Sequence, residues 1–417
     1  MIDMEHLHLT HTTPDGWQKD SVGHLIVEQP KSPIKVSDAA CFGSFPFFTS
    51  GDDVLMHTVA LVNGDNIYLA TGGQANIKHY NGDASYSTDT YVVKTTEDID
   101  TTLLYYYLTN IRLFIDSNYF QGSGLKHLQK KDFKKHELYF PKDIEEQKRI
   151  AALLTQIDLV IADTKKLIDK YRNIKAGLMQ DLLTKGIDGN GNIRSEETHE
   201  FKDSELGRIP VEWKIESLGK NCNVFNGFAF SSSDYCQNGI QLVRMGNLYK
   251  NELNLSRAPI FLPCHFQEIY SDFIINKGDI IMSMTGTSGK KDYGFAVMIK
   301  DNIQLLLNQR VCKIVPDETS FVKNFVLYLL HTQSYLEVLY NKCFGTKQAN
   351  LTRKEILASL IIRPQKGEQQ RIVTMIQKIE KFEHSLNQEL IKLCQQREGL
   401  LKDLLSGNIR IPSTIKL

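Results

Sequence analysis

"GLMQDLLTKGI" occupies residues 177–187 and "GLLKDLLSGNI" residues 399–409. Two nearly identical phrases 222 residues apart in a chain of 417 mark an internal repeat. The same offset pairs Glu146-Gln147 with Glu368-Gln369, Arg149-Ile150 with Arg371-Ile372 and Asp181-Leu182-Leu183 with Asp403-Leu404-Leu405. It therefore holds across this whole stretch without a gap. Upstream, an offset of 223 pairs Leu104-Tyr105 with Leu327-Tyr328, Gly122 with Gly345, Leu128 with Leu351, Lys130-Lys131 with Arg353-Lys354 and Pro141 with Pro364. Further back, "PDGWQKDSVG" (14–23) matches "PVEWKIESLG" (210–219) at an offset of 196, and Trp17 and Trp213 are the only two tryptophans. The chain reads as two tandem units, the second longer in its middle by 27 residues. That middle shows no self-similarity, which implies one scaffold presenting two different surfaces.

From Ile150 an apolar series recurs every seven residues as Ile150, Ile157, Thr164, Tyr171 and Leu178, with Leu153, Val160, Leu167 and Ile174 as companions. The second copy gives Ile372, Ile379, Leu386, Leu393 and Leu400, with Met375 and Phe382 as companions and Ile376, Leu390 and Leu404 beside them. Five heptads without proline, closing on "TKGIDGNGN" and "LSGNIRI", predict two long coiled-coil helices. Glu146 to Thr184 would span roughly 57 Å at about 1.5 Å per residue. Two equal rods in one chain most simply pair antiparallel, with a globular unit at each end and a pseudo-twofold axis between them. The competing arrangement has each helix packing on its own domain.

Composition bounds the function. With 41% hydrophobic and 24% charged residues the chain can bury ordinary globular cores. It has no long uninterrupted apolar run, and "MIDMEHLHLTHTTPDGW" lacks a signal-peptide layout, so no membrane partner and a cytoplasmic location are expected. The seven cysteines form no C-x-x-C pair. His6, His8 and His11 have metal-compatible spacing but read better as a mobile terminus, so no metal site is expected. A net charge of zero excludes uniform electrostatic attraction to nucleic acid and leaves local patches to carry it.

The phrases "FPKDIEEQKRIAALLTQID" and "RPQKGEQQRIVTMIQKIE", the helix ends "GLMQDLL" and "GLLKDLL", and the entries around Trp17 and Trp213 resemble the specificity subunits of type I restriction-modification systems. So do "FQGSGLKHLQKKDF" and "FGTKQANLTRKEI" before each helix. The resemblance implies an α+β fold: two globular target-recognition domains joined by two long antiparallel coiled-coil helices. The expected bounds are 1–143 for the first recognition domain and 144–187 for the central helix. A polar linker follows at 188–206, then the second recognition domain at 207–366, the C-terminal helix at 367–408 and a tail at 409–417. Each domain would read one half of a split site in double-stranded DNA, while the coiled coil sets the spacer and docks two methyltransferase subunits. Restriction/translocase subunits would join through the complex. The chain itself would be non-catalytic and bind no cofactor, S-adenosylmethionine, ATP and Mg belonging to partner subunits. Consistent with this, no N-P-P-F/Y methyltransferase motif is present, and "MTGTSGKK" (284–291) has the wrong loop length for a Walker A phosphate cradle.

Reading DNA needs cations for phosphates and planar amide or guanidinium groups for base edges. In the first unit the candidates are Lys126, Lys130, Lys131 and Lys134 in "GLKHLQKKDFKKH", with Gln74 and Lys78 in "ATGGQANIKHYNG". The second unit offers Lys290 and Lys291 in the Gly-rich loop, Arg310 after an apolar run, and Lys347, Gln348, Arg353 and Lys354 in "TKQANLTRKE". Because Lys130-Lys131 align with Arg353-Lys354, these four look like shared backbone clamps; unmatched residues would carry sequence readout. Two rivals stand beside this reading: an enzyme that acts on DNA alone, and a coiled-coil adaptor without DNA binding.

Overall fold

A computed structural model describes residues 13–40, 42–287, 289–342 and 348–412. The chain forms two compact units, one built from the chain up to Leu167 together with Leu386 onward, the other from Ile168–Ser385. Two long helices, Ile144–Thr184 and Lys366–Leu405, each give one half to either unit. The division thus falls inside both helices instead of at their ends.

In the first unit a four-stranded antiparallel sheet runs in the order Ile26–Glu28, Thr90–Thr95, Asp65–Ala70, Ile77–Asn81. Alternation along Asp65–Ala70 serves two cores. Ile67 and Leu69 join the cluster formed with the helices, whereas Tyr68 joins Phe48, Tyr86 and Val92 on the other face. A burial period of two with both faces covered produces a nearly continuous apolar strand. The second face is roofed by Phe45–Phe48, which pairs antiparallel with Val54–His57 and parallel with Ser85–Tyr86. Helices Thr101–Asn110 and Arg112–Tyr119 follow the sheet; Asp100 caps the first by accepting from Leu103 N–H at 2.9 Å.

The second unit repeats this topology. Its central sheet runs Cys222–Asn226, Val311–Pro316, Ile280–Ser283, Ala296–Met298, and its roof pairs Ile240–Val243 antiparallel with Phe261–Leu262 and parallel with Leu305–Leu307. One extra strand, Ile274–Ile275, extends the roof. Helices Lys323–Leu330 and Gln333–Lys342 take the places of the first unit's pair. The middle of the repeat therefore shares its fold although the sequence shows no match there. Its extra length lies largely between the first and second strands of the central sheet in chain order, where 53 residues separate Asn226 from Ile280 and 36 separate Glu28 from Asp65.

Within each unit the long helices run antiparallel. In the first, Asp158 pairs with Arg397 and Glu146 with Arg410; in the second, Tyr171 packs on Phe382 at 4.5 Å between ring centroids and Arg172 and Lys175 reach Glu383. In the leading heptad series Ile150 is buried and Ile157, Thr164, Tyr171 and Leu178 are partly buried, but the companions differ. Val160, Leu167 and Ile174 are exposed, and the buried stripe runs through Leu154, Ile161 and Ile168, with Lys175 at the next step. At 3.6 residues per turn the positions three and four ahead flank the same line. The sequence offers apolar residues at both, and the partner helix selects the second. Phe382, also a companion, is as exposed as Ile174 although it packs on Tyr171. Lys175 sits in the stripe because Glu383 accepts its ammonium at 2.9 Å.

Candidate nucleic-acid interface

The segment leading into each long helix pairs with a glycine-bearing loop. In the first unit Leu128 N–H donates to Thr71 O at 3.0 Å and Gly73 N–H to Lys126 O at 2.9 Å. In the second, Leu351 N–H donates to Met284 O at 2.7 Å, and Thr285–Thr287 ladders with Gln348–Asn350. Leu128 and Leu351 are the residues matched at offset 223, so the two loops hold the same place in the topology.

Gln74, Lys126 and the exposed His127 are thereby brought together. Lys131 is exposed and makes no ion pair among the described residues. The remaining first-unit candidates are engaged by the protein itself. Lys78 donates to the carbonyls of Thr49 and Asp53, each at 3.3 Å, and to that of Gly51, and burial holds its ammonium below the usual lysine range. Lys134 pairs with Glu28, which that hydrogen bond keeps below the ordinary carboxylate range. Lys130 lies over the Tyr91 ring at 4.0 Å, and burial lowers its pKa as well.

In the second unit Arg310 lies at the base, and Lys290 and Lys291 at the tip, of one loop. Met284 N–H donates to Arg310 O at 3.0 Å, tying Arg310 to the base of the loop, and Lys290 and Lys291 are exposed at its tip. Asp292 closes the loop by accepting from Thr287 N–H at 2.6 Å and Thr287 Oγ1 at 2.9 Å. Arg353 and Lys354 are exposed on the first turn of Arg353–Leu357, which Thr352 and Glu355 cap reciprocally. Lys130 and Lys131 open the equivalent turn, Lys130–Phe133. Lys347 lies outside the described residues, as do His6, His8 and His11; Gln348 is placed by its backbone in the ladder. Among the described residues no group of His, Cys, Asp and Glu could hold a metal, and no helix is long and apolar enough to cross a membrane.

The scaffold is fastened by matching residues in the two units. Gln147 accepts from Asp100 N–H at 2.7 Å and donates to the carbonyls of Asp98 (2.9 Å) and Pro141 (2.8 Å). Gln369 does the same for Val322 N–H, Ser320 O and Pro364 O at 2.9, 3.1 and 3.0 Å. Tyr106 donates to Asp158 at 3.0 Å, and Tyr328 to Glu380 at 2.7 Å. Glu146 holds Arg410, and Glu368 holds Arg194. Those arginines end a "GNIR" phrase at 191–194 and again at 407–410. The reading at a fixed offset of 222 passes over it, because the second occurrence comes six residues early.

The profile of the type I restriction modification DNA specificity domain matches residues 14–170 and 210–393. The chain belongs to this family. It is 25% identical over 412 residues to the type I restriction enzyme MjaVIII specificity subunit of Methanocaldococcus jannaschii, an alignment covering 95% of this chain and 94% of that one. The type I restriction-modification S subunit from M. genitalium superposes with a TM-score of 0.63 at 14% identity, over 95% of this chain and 98% of that chain. A chain solved in work on complex assembly and conformational transition of the type I restriction-modification system superposes with a TM-score of 0.53 at 17% identity, over 96% and 100%. As a type I specificity subunit, the protein serves DNA target recognition, and the adaptor reading is not favoured.

Proposed function

We propose that each unit of this specificity subunit reads one half of an asymmetric, split site in double-stranded DNA, the two long helices setting the separation. One observation carries the proposal: two loops at the same place in a repeated scaffold bear different tips, Gly73-Gln74 in one unit and Lys290-Lys291 in the other. A shared scaffold keeps register through phosphate contacts, and unlike tips select unlike bases. Lys131, Arg353 and Lys354 serve as phosphate clamps; Lys126 and Arg310 flank the tips.

The exposed apolar residues Leu159, Val160, Leu167 and Ile174 on the first long helix, with Ile391 on the second, support docking of two methyltransferase subunits there. The chain acts by binding alone. S-adenosylmethionine, ATP and Mg are handled by the methyltransferase and the restriction/translocase subunits of the complex.

The test is to co-express the chain with its cognate methyltransferase and map methylated bases across the host genome by single-molecule sequencing. The expected motif has two unlike halves and a fixed gap. Methylation at the same sites without this chain would overturn the proposal.

A further inference from the structure

The reading loop of the first unit is held from behind by one helix. Ala75, 2% exposed, is gripped at both backbone groups: its N–H donates to Asp116 Oδ1 at 2.7 Å, and its carbonyl accepts from Arg112 Nη1 at 3.3 Å. Arg112 and Asp116 stand four residues apart on Arg112–Tyr119, hence on one face, and Ile115 anchors that helix in the core at 1% exposure. The rest of the loop is equally engaged. Thr71 Oγ1 donates to Asp89 O at 2.8 Å, Gly73 N–H to Lys126 O, and Asn76 Nδ2 to Gly51 O at 2.8 Å and Asp52 Oδ1 at 3.1 Å.

What remains is the tip. Gly73 has φ +84°, and a Cβ built there would meet nothing within 4 Å, so the backbone is open to close approach. Gln74 is exposed and makes no hydrogen bond among the described residues. A free amide on a backbone fixed from two sides binds without first having to order its loop. Its adjacent donor and acceptor match the N6/N7 edge of adenine in the major groove.

We infer that Gln74 reads an adenine edge in the first unit's half-site, and that Arg112 and Asp116 are the positioning residues that aim it. The inference rests on the split-site reading above. The second unit uses the equivalent helix for the same purpose, where Tyr340 of Gln333–Lys342 donates to the carbonyls of Lys291 and Tyr293, each at 3.1 Å.

The experiment maps methylation by the full chain assembled with its methyltransferase subunits. If the unaltered complex yields no split motif, the underlying reading fails. Given that motif, Gln74→Ala should make a single adenine position degenerate in one half, with discrimination there falling roughly 10- to 100-fold. The other half and the gap should stay sharp. Asp116→Ala and Arg112→Ala should relax that same position, Asp116→Asn should restore it by keeping the acceptor for Ala75 N–H, and combining Gln74→Ala with Asp116→Ala should add nothing. A merely structural role would lower methylation at all positions alike. An unchanged motif in Gln74→Ala overturns the assignment of Gln74. If Arg112→Ala, which removes one long hydrogen bond from an exposed residue, leaves the position as sharp as before, the positioning role is overturned.

Discussion

Trp213 donates its indole N–H to Glu368 at 3.2 Å, whereas Trp17, at the same place in the other unit and also buried, has no partner for its indole nitrogen among the described residues. The contrast extends to the arginines. Glu368 also accepts from Ile187 N–H at 3.0 Å and from Arg194, whose side chain is 9% exposed; Glu146 accepts from Arg410 at 2.6 Å, and that side chain is 44% exposed. Both closures need a glycine. Gly186 (φ +69°) and Gly407 (φ +75°) pass so close to the tryptophans that a Cβ would lie 2.4 and 3.0 Å from a ring carbon. The same parts thus make a buried knot in the second unit, where among the described residues only Arg194 Nε lacks a partner, and a half-wet one in the first. Topology is repeated more faithfully than the energy that holds it.

The two tryptophans sit one in each unit, so replacing either leaves the other to report its own unit's unfolding. Four measurements can break or sharpen the comparison. The largest effect is expected from Glu368→Ala, which removes the shared acceptor of Ile187 N–H, the Trp213 indole and the buried Arg194, leaving Arg194 only the half-exposed Glu212 at 3.5 Å, and should cost the second unit about 3–5 kcal/mol. Glu146→Ala frees an arginine that water can reach and should cost the first unit about 1–2 kcal/mol. Equal losses in urea titrations would erase the distinction. Gln147→Ala and Gln369→Ala come next and should agree with each other. Each leaves one N–H and two carbonyls unmet, about 2–3 kcal/mol, and a clear inequality between them would mean that the units differ in their frames as well.

The third concerns acid. Glu216 accepts from Arg363 at 2.8 and 3.1 Å and from Lys220 and Asn221, and these partners, Arg363 first, pull its carboxyl from the usual 4.5 down to about 2. The folded pKa lies below the unfolded one. Its stabilisation, about 1–2 kcal/mol, is therefore complete above pH 4.5 and lost as pH falls toward 2. The first unit secures the corresponding strand pair, Trp17–Ser21 with Glu137–Pro141, by the exposed pair Lys19–Glu137. Glu216→Gln should remove that part of the second unit's acid sensitivity and leave the first unit's pH profile unmoved. The smallest effect is a difference: Trp213→Phe should cost about 1 kcal/mol more than Trp17→Phe, because only the former breaks an indole hydrogen bond.

Much of the scaffold was legible from charge, proline and tryptophan landmarks. Glu146-Gln147 and Glu368-Gln369 stand out because buried polar residues with fixed partners cannot drift. The inner sheets were not legible: strands such as Asp65–Ala70 and Ile280–Ser283 need only buried apolar side chains, which many sequences satisfy equally. The helix seam was half legible, since Val160 and Ile161 are both apolar and only the partner decides between them. Of the candidate cations, Lys78, Lys130 and Lys134 look like Lys126 and Lys131 in sequence, and their engagement with carbonyls, a ring and a carboxylate depends on loops far away in the chain. The clamp on Ala75 left a faint trace, an arginine and an aspartate four apart, but nothing in the sequence said which backbone they would face.

The ion pair of the first unit joins Glu146 to Arg410, while everything in the second lies between Ile168 and Ser385. On the ribosome this imposes an order of events. The second unit has all its parts once Ser385 has emerged. The first, although its strands are made earliest, must wait with Ile150 and Leu154 uncovered until Leu401, Leu404 and Ile411 arrive to close the same core. The unit synthesised first is the one completed last.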